Sequence, residues 1–297
     1  MNLRKVLNPN LVLCHLCRYI PFRFISDELY LRIFYEAYQG RKLDLKNPKT
    51  FNEKLQWLKL YDRNPLYTDL SDKYKVREFV KKKIGEEYLI PLLGKYSSAE
   101  EIDFTKLPNE FVLKCNHDSG SVVICKDKSN IDENTIRKSL NKALKKQYFW
   151  KSREYNYRNI ERCIIAEQLL KNDGESDVPD YKYFCFWGKP QFIQVDTGRF
   201  SNHIRNFYNT NWEYIDVEYG IRNDPSQIMK QPEQHQKMLE LAAKLSDGFP
   251  HVRVDFYVVS GKVYFGEMTF HHGGGAMKVN PIKYDYEWGK LLDLPKK

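Results

Sequence analysis

The stretch His251-Val-Arg253-Val-Asp255-Phe-Tyr-Val-Val259-Ser260-Gly261-Lys-Val-Tyr-Phe265-Gly266-Glu267-Met-Thr269, followed by Phe270-His271-His272-Gly-Gly-Gly275, decides how the chain reads. Two apolar runs flank Ser260-Gly261, which is a strong β-hairpin signal. Asp255 and Glu267 lie inside those runs, where a bare carboxylate is costly unless it is paired or holds a metal. If Ser260-Gly261 is a two-residue turn, Asp255 pairs with Gly266, and strict alternation turns Glu267 to the opposite face. A three-residue loop, Val259-Ser260-Gly261, with Gly261 left-handed and a bulge after it, instead pairs Asp255 with Phe265 and Arg253 with Glu267. That register is the expected one, because it gathers Arg253, Asp255, Glu267 and Thr269 on one face. The alternative is a structural salt bridge between Arg253 and one acid.

Upstream, other polar groups stand in comparable positions. Thr50-Phe-Asn-Glu53 is a capping box opening a helix through Leu55, Leu58 and Tyr61. Ser71-Asp72-Lys73 is read as the start of a second helix, with Val76, Phe79, Val80 and Ile84 inward. That reading puts Lys73 in the first turn, where a cation is unfavourable unless an anion is near. Glu110 to Cys115 reads as a strand carrying Lys114, followed by the turn-prone Asn116-His-Asp-Ser119-Gly120-Ser121 and the strand Val122 to Cys125. A strand lysine beside a small-residue loop is a plausible phosphate clamp, with an ordinary polar hairpin as the alternative. Asp132 to Tyr148 reads as an amphipathic helix, and Arg162 to Leu170 as a buried strand with Glu167 near its end. Asp180 to Phe186 leads through Trp187-Gly-Lys-Pro190 into Gln191 to Val195, which reads as another hairpin. Pro225 to Leu245 reads as a final helix with Met238, Leu241, Ala242 and Leu245 inward. Helices followed by strand and helix mixtures with antiparallel hairpins argue for an α+β fold.

The 297 residues suffice for a large core, and 42% apolar with 14% aromatic residues is a globular composition. A net charge of +9 suggests an anionic partner. The basic residues are spread along the chain without a finger or RNA-recognition motif, so nucleic acid is not expected. No apolar run reaches the ~20 residues that span a bilayer, and the start does not look like a cleavable signal, so a cytoplasmic protein is expected. Residues 1 to 40 interleave Arg4, Lys5, Arg18 and Arg23 with apolar side chains, which allows contact with the inner face of the plasma membrane beside the simpler reading of packed helices. Six cysteines in this length do not form a disulfide framework. Cys14 and Cys17 have the spacing of half a zinc site, with no second pair.

Two lysines able to clamp phosphates and two acids able to hold Mg²⁺ make a kit for binding ATP and moving its terminal phosphoryl group. The order of these pieces resembles the ATP-grasp superfamily, and their wording is similar to its TupA-like, amide-ligase-type branch, associated with teichuronopeptide and other surface polysaccharides. The resemblance runs from about Pro48 to Pro295, through Leu70-Ser-Asp-Lys-Tyr74, Phe111-Val-Leu-Lys-Cys-Asn-His-Asp-Ser-Gly120, Asp180-Tyr-Lys-Tyr-Phe-Cys-Phe186, Asn206-Phe-Tyr-Asn-Thr-Asn-Trp212 and the opening hairpin.

This resemblance implies ATP held between two antiparallel sheets, with Lys73 and Lys114 on its phosphates under a loop of Ser119, Gly120 and Ser121. It implies the strand end from Glu167 to Leu169 as the hinge reading adenine, and Lys182 among the nucleotide contacts. Asp255 and Glu267 become Mg²⁺ ligands with Thr269 beside them, where related ligases commonly carry Asn. Arg253 becomes the catalytic cation on the acyl phosphate or its oxyanion. Lys182, Arg199, Arg205, His271 and His272 are candidates for the acceptor site. The implied organisation is a helical segment over 1–62 and an ATP-grasp-like domain over 63–297, with lobes of about 63–165 and 166–297. The implied function is ATP- and Mg²⁺-dependent carboxylate–amine ligation onto a glycan or lipid-linked glycan precursor of a capsule or similar envelope polymer. The alternatives are a metal-dependent glycosyltransferase of the same setting and a non-catalytic nucleotide-binding assembly protein.

Overall fold

The computed structural model describes residues 9–16, 24–172, 178–198 and 202–296. Two antiparallel sheets organise the chain. The first consists of β1 (Leu92–Tyr96), β2 (Phe111–Cys115), β3 (Val123–Cys125) and β4 (Ile164–Gln168), in the order β1-β4-β2-β3. Alternation divides its faces. Phe111, Leu113, Cys115, Ile164 and Ala166 pack with Ile136, Leu140 and Ala143 of the helix Glu133–Leu144, which leaves Lys114 and Glu167 on the side away from that helix.

The second sheet contains β5 (Asp180–Phe186), β6 (Lys189–Thr197), β7 (Ile204–Asn209), β8 (Tyr214–Ile215), β10 (Val252–Val259) and β11 (Lys262–Thr269), in the order β11-β10-β5-β6-β7-β8. The short pair β9 (Glu218–Tyr219) and β12 (Val279–Asn280) stands apart from it. One face is uniformly apolar: Tyr181, Tyr183, Ile193, Val195, Val252, Val254 and Phe256 pack against Met238, Leu241, Ala242 and Leu245 of the helix His235–Ser246. The other face has two halves. At one end Phe184, Phe186, Phe192 and Phe207 join Phe51 and Trp288 under the helices Phe51–Tyr61 and Lys283–Leu291. At the other end the same strands present Asp180, Lys182, Gln194, Asp196, Arg205, Arg253, Asp255 and Glu267. The helices from Asp27 to Tyr61 therefore close the aromatic half of a sheet whose remaining half is charged.

The hairpin β10–β11 reaches its shared polar face by a different route from the expected one. Ser260 (φ 49°) and Gly261 (φ 77°) are both left-handed, and Val259 pairs with Lys262, so the turn has two residues rather than three. Ser260 tolerates its conformation with its N–H donated to Asn172 Oδ1 at 3.0 Å. The bulge lies deeper in the ladder. Phe256 pairs with Phe265 but Asp255 pairs with Glu267, so Gly266 is the extra residue that reverses the phase of the strand. A Cβ at Gly266 would lie 3.1 Å from the Asp255 carbonyl oxygen and from the Tyr257 ring, which explains why glycine is accommodated there.

Two helix expectations need correction. The helix after Asp72 begins at Val76, not at Ser71, because Asp72 Oδ1 accepts the N–H groups of Tyr74 and Lys75 and holds Lys73 in a turn. The expected helix from Pro225 to Leu245 is only a 3₁₀ turn at Pro225–Gln227 and a helix from His235, since Pro232 disfavours helical geometry in the residue before it. The Thr50 capping box forms as expected: Glu53 N–H donates to Thr50 Oγ1 at 3.3 Å and Thr50 N–H donates to Glu53 Oε2 at 3.0 Å.

Cys14 is buried on the helix Pro9–Leu16, whereas Cys17, Arg4, Lys5, Arg18, Arg23 and Arg199 lie outside the described residues. Among the described residues no helix is long and apolar enough to cross a membrane, and no group of three or more His, Cys, Asp or Glu is placed to hold a metal ion.

Candidate active site

The floor of the site is a network of alternating charges laid across five strands. Arg253 donates to Asp255 Oδ1 and Oδ2 at 2.7 and 2.6 Å and to Glu267 Oε1 at 2.9 Å, with Thr269 Oγ1 at 3.2 Å from the same nitrogen. Lys182 Nζ donates to Asp255 Oδ2 at 3.0 Å and to Asp180 Oδ2, and approaches Asp196 at 3.9 Å. Arg205 closes the far end with two bonds to Asp196, at 2.7 and 3.1 Å. Burial tends to raise Asp196, but Arg205 and Lys182 outweigh it and hold its carboxyl well below the usual range.

Asp255 and Glu267 differ although they face each other. Burial pushes Asp255 up to about 6 against the pull of Arg253 and Lys182. Burial acts on Glu267 in the same direction, yet Arg253, Lys73 and Lys182 bring it down to about 2. Solvent access follows the same division: the Asp255 side chain is 2% accessible, while that of Glu267 keeps 41% and opens into the space between the sheets. Both are carboxylates at neutral pH, one locked in the floor and one presented.

The first sheet supplies the opposite wall. Lys114 Nζ meets Glu167 at 2.6 Å, and Arg77 approaches the other oxygen of that carboxylate at 3.5 Å. The backbone N–H of Lys73 donates to Asn116 O at 3.1 Å, and its ammonium donates to Asp118 O. Burial lowers the Lys73 pKa, and the charges it feels come from Glu267 on one sheet and from Lys114, Asp118 and Glu167 on the other. Lys73 is thus the point at which the two polar faces meet.

The sequence-derived candidates therefore fall into distinct places. Arg253, Asp255, Glu267 and Thr269 form one hydrogen-bonded set, with Lys182 built into the floor beneath. Lys73, Lys114 and Glu167 form the facing set. Ser119 and Gly120 are exposed at the loop tip, whereas Ser121 is turned inward, donating to Asp118 Oδ1 and accepting the Cys115 N–H at 3.1 Å. Leu169 follows directly on β4 and is half-buried. Arg205 is tied to Asp196. His271 and His272 are buried, and His272 lies among Phe51, Phe184 and Tyr219 with neither ring nitrogen hydrogen-bonded, which makes it a core side chain rather than one presented to an acceptor.

Arg77, Asp118, Asp180 and Asp196 escaped the sequence reading. Asp180 and Asp196 carried the signal that singled out Asp255, a carboxylate at the alternating position of an apolar strand, and Asp180 stands two residues from Lys182. Arg77 gave none, since a basic residue on a helix is ordinarily solvated.

A family model for TupA-like ATPgrasp matches residues 53–293. No curated protein matches the chain. Solved structures similar to it include D-alanine–D-alanine ligase from Bacillus anthracis complexed with ATP, at 16% identity over 68% of this chain and 54% of that one, TM-score 0.39. D-Alanine–D-alanine ligase from Helicobacter pylori is similar at 14% identity over 82% of this chain and 69% of that one, TM-score 0.42. N5-carboxyaminoimidazole synthetase from Staphylococcus aureus complexed with ADP is similar at 15% identity over 82% and 50%, TM-score 0.36. The chain spans about half the length of the Bacillus anthracis structure. With the family pattern covering the capping-box helix, both sheets and the charged hairpin, this chain belongs to the TupA-like ATPgrasp family.

Proposed function

We propose that the protein is an ATP- and Mg²⁺-dependent carboxylate–amine ligase that works through an acyl phosphate. Its expected product is an amino acid or amino sugar attached to a uronic-acid-containing surface polysaccharide or its precursor, on the cytoplasmic side of the membrane. The observation that carries the reading is the in-register pairing of Asp255 with Glu267 beneath Lys73 and opposite Lys114. Family membership supports the nucleotide, and the nature of the glycan rests on the resemblance to the teichuronopeptide-type branch. In this reading residues 1–62 support the lobe formed by 166–297, and residues 63–165 form the lobe that covers the nucleotide.

The residues present fit Mg²⁺. That ion is usually held by one or two carboxylates together with substrate phosphates, and Glu267 offers an accessible carboxylate with the Thr269 hydroxyl 3.1 Å from its Oε1. Asp255 stands opposite with both oxygens bonded to Arg253 and Lys182, so it serves as the second oxygen donor by giving up one of those bonds. Asp255 and Glu267 would hold the ion, whose contribution when bound is to neutralise charge on the phosphates. Lys73 and Lys114 would hold phosphate oxygens beneath the Ser119–Ser121 loop, and the strand end from Glu167 to Leu169 would face adenine. A substrate carboxylate oxygen attacks the γ-phosphorus and ADP leaves. The amine nitrogen then attacks the acyl carbon, phosphate leaves, and the ammonium loses its proton to solvent. Arg253, permanently cationic between two carboxylates, stabilises the oxyanion that develops.

The test is ADP release in the presence of a uronate, an amino acid, both or neither. ADP formation that requires both, and that disappears in an Asp255→Asn, Glu267→Gln double variant, supports the reading. Full turnover by that variant would overturn the metal assignment, and ADP release indifferent to the amine would overturn amide formation.

A further inference from the structure

A second cleft, of about 230 Å³, opens beside the loop that carries Asp118. Its walls are the rings of Tyr148, Trp150 and Tyr157 and the side chains of Arg158 and Arg162, and His117 contributes from below. Tyr148 and Tyr157 meet edge to face at 4.9 Å. Arg158 is exposed and holds its guanidinium 5.2 Å from the Phe149 ring. Arg162 uses one nitrogen on the Leu144 carbonyl at 2.9 Å. Among the described residues neither arginine has a carboxylate within ion-pair distance, unlike Arg77, Arg205 and Arg253 of the site above. His117 is 2% exposed; its Nε2 meets the Lys146 carbonyl at 3.2 Å, and its Nδ1 is buried without a partner. Two guanidinium groups without a carboxylate partner beside three aromatic rings in one cleft make an arrangement that suits an anionic ligand with an apolar face.

The cleft adjoins the proposed phosphate site. His117 lies between Asn116 and Asp118, whose carbonyls accept the two N–H donors of Lys73. The phenols of Tyr148 and Tyr157 are raised first by burial and then by nearby carboxylates, Glu267 among them, so these rings lie within electrostatic reach of the charged hairpin. A volume of this size takes one saturated ring rather than a nucleotide, since pockets for drug-sized ligands start at roughly 300 Å³. Flat aromatic faces cover the apolar side of a sugar ring, and a guanidinium fork takes a carboxylate through two parallel hydrogen bonds.

We propose that this cleft is the binding site for an acidic sugar, with Arg158 and Arg162 on its carboxylate and Tyr148, Trp150 and Tyr157 around its ring. The assignment rests on the ligase reading only in taking that sugar as the glycan substrate; the binding itself is independent of turnover.

The experiment is a saturation-transfer NMR titration with methyl β-D-glucuronide, and with methyl β-D-glucoside, inorganic phosphate and uridine monophosphate as comparisons. The glucuronide is expected to bind about tenfold more tightly than the glucoside. An Arg158→Ala, Arg162→Ala double variant is expected to abolish that preference while the affinity for a non-hydrolysable ATP analogue stays within about twofold. If the double variant does not fold, Arg158→Ala alone, whose guanidinium makes only the ring contact among the described residues, is expected to weaken glucuronide binding several-fold. Equal binding of the two sugars, indifference to the arginine variants, or tighter binding of phosphate or uridine monophosphate through the same arginines would overturn the proposal. Ligase turnover with an unchanged KM for the uronate in the double variant would remove this cleft and leave the ligase reading standing. Glucuronide binding without any ligase turnover would do the reverse.

Discussion

Asp255 and Glu267 stand directly opposite each other on β10 and β11 because Gly266 is bulged out of the ladder between Phe265 and Glu267. A strict two-residue hairpin without that bulge would turn Glu267 toward the apolar face that holds Phe256 and Phe265. The shared polar face thus depends on one residue without a side chain. Gly266→Val would force a Cβ against the Asp255 carbonyl oxygen and the Tyr257 ring, each 3.1 Å away, in a strand that is otherwise well packed. Crowding of this kind costs about 1–3 kcal/mol. Thermal melting should show that loss, and any Mg²⁺-dependent rise in the melting temperature of the wild-type chain should shrink more in Gly266→Val than in a Val263→Ala control at the far end of the strand.

Lys114 and Glu167 make the closest ion pair on the first sheet, with side-chain accessibilities of 16% and 7%. Removing one partner of such a pair strands a buried charge and costs about 3–5 kcal/mol, whereas replacing both is far milder. Lys114→Met should therefore destabilise strongly, moderated by Arg77 at 3.5 Å from the same carboxylate. Lys114→Met combined with Glu167→Gln should recover most of the loss. Denaturant unfolding of the wild type, both single variants and the double variant gives the coupling directly. Nucleotide affinity should remain weak in the double variant despite its restored stability, since a phosphate clamp needs the ammonium itself.

How much of this was legible in the sequence depended on the range of the interaction. Helical periodicity turned Met238, Leu241, Ala242 and Leu245 inward and marked the helix after Asp132 as amphipathic, and both helices pack their apolar faces on a sheet, because each pattern is local and one face is buried. The Thr50 capping box was legible for the same reason. The hairpin was recognisable, but its turn was misassigned: the constraint that the acids share a face was right, and two arrangements satisfy it. Nothing local distinguishes a bulge at the turn from a bulge at Gly266. Lys73 was placed on a helix because Ser71-Asp72 resembles a cap, whereas Asp72 folds a tighter turn around itself. The division of one sheet face into aromatic and charged halves was not legible, since Phe184 and Lys182 are neighbours on one strand and only the helices that cover the former separate their surroundings.

Phe51 shows what that covering contributes. It is fully buried on the capping-box helix, with ring centroids 5.6 Å from Phe186, 6.2 Å from Trp288 and 5.0 Å from the His251 imidazole. The same helix sends Gln56 and Lys59 to the Gly274 carbonyl, at 3.0 and 2.7 Å, and so holds the chain just beyond the charged hairpin. Phe51→Ala should cost about 3–5 kcal/mol from the cavity it leaves. Because the helix also secures the Gly274 turn, hydrogen exchange in β11 and at Gly273–Gly275 should accelerate along with exchange in the helix itself. Loosening confined to the helix would show that the N-terminal helices merely rest on the sheet.

Two imidazoles in the same aromatic cluster make stability depend on acid. Burial pushes His251 down to about 3 and His272 well below its ordinary value, and among the described residues no carboxylate acts on either to reverse the effect. His251 Nδ1 is bonded to the Cys185 carbonyl at 2.9 Å, so the fold holds a neutral ring there. The unfolded chain protonates both rings near the usual 6.5, while the folded chain does not. The unfolded state therefore binds more protons, and stability falls as pH drops below about 6.5, by up to about 3 kcal/mol per pH unit for the two groups together once both unfolded rings are charged. His251 stops contributing only near its folded value of about 3. Denaturant unfolding measured between pH 6 and 7 should show that slope, because below about 6 the buried Asp255 takes up a proton in the fold and opposes it. His272→Phe, which keeps the ring packing against Phe51 and Phe184, should lower it by one proton's worth. An unchanged slope in that variant would mean that His272 is already charged in the fold.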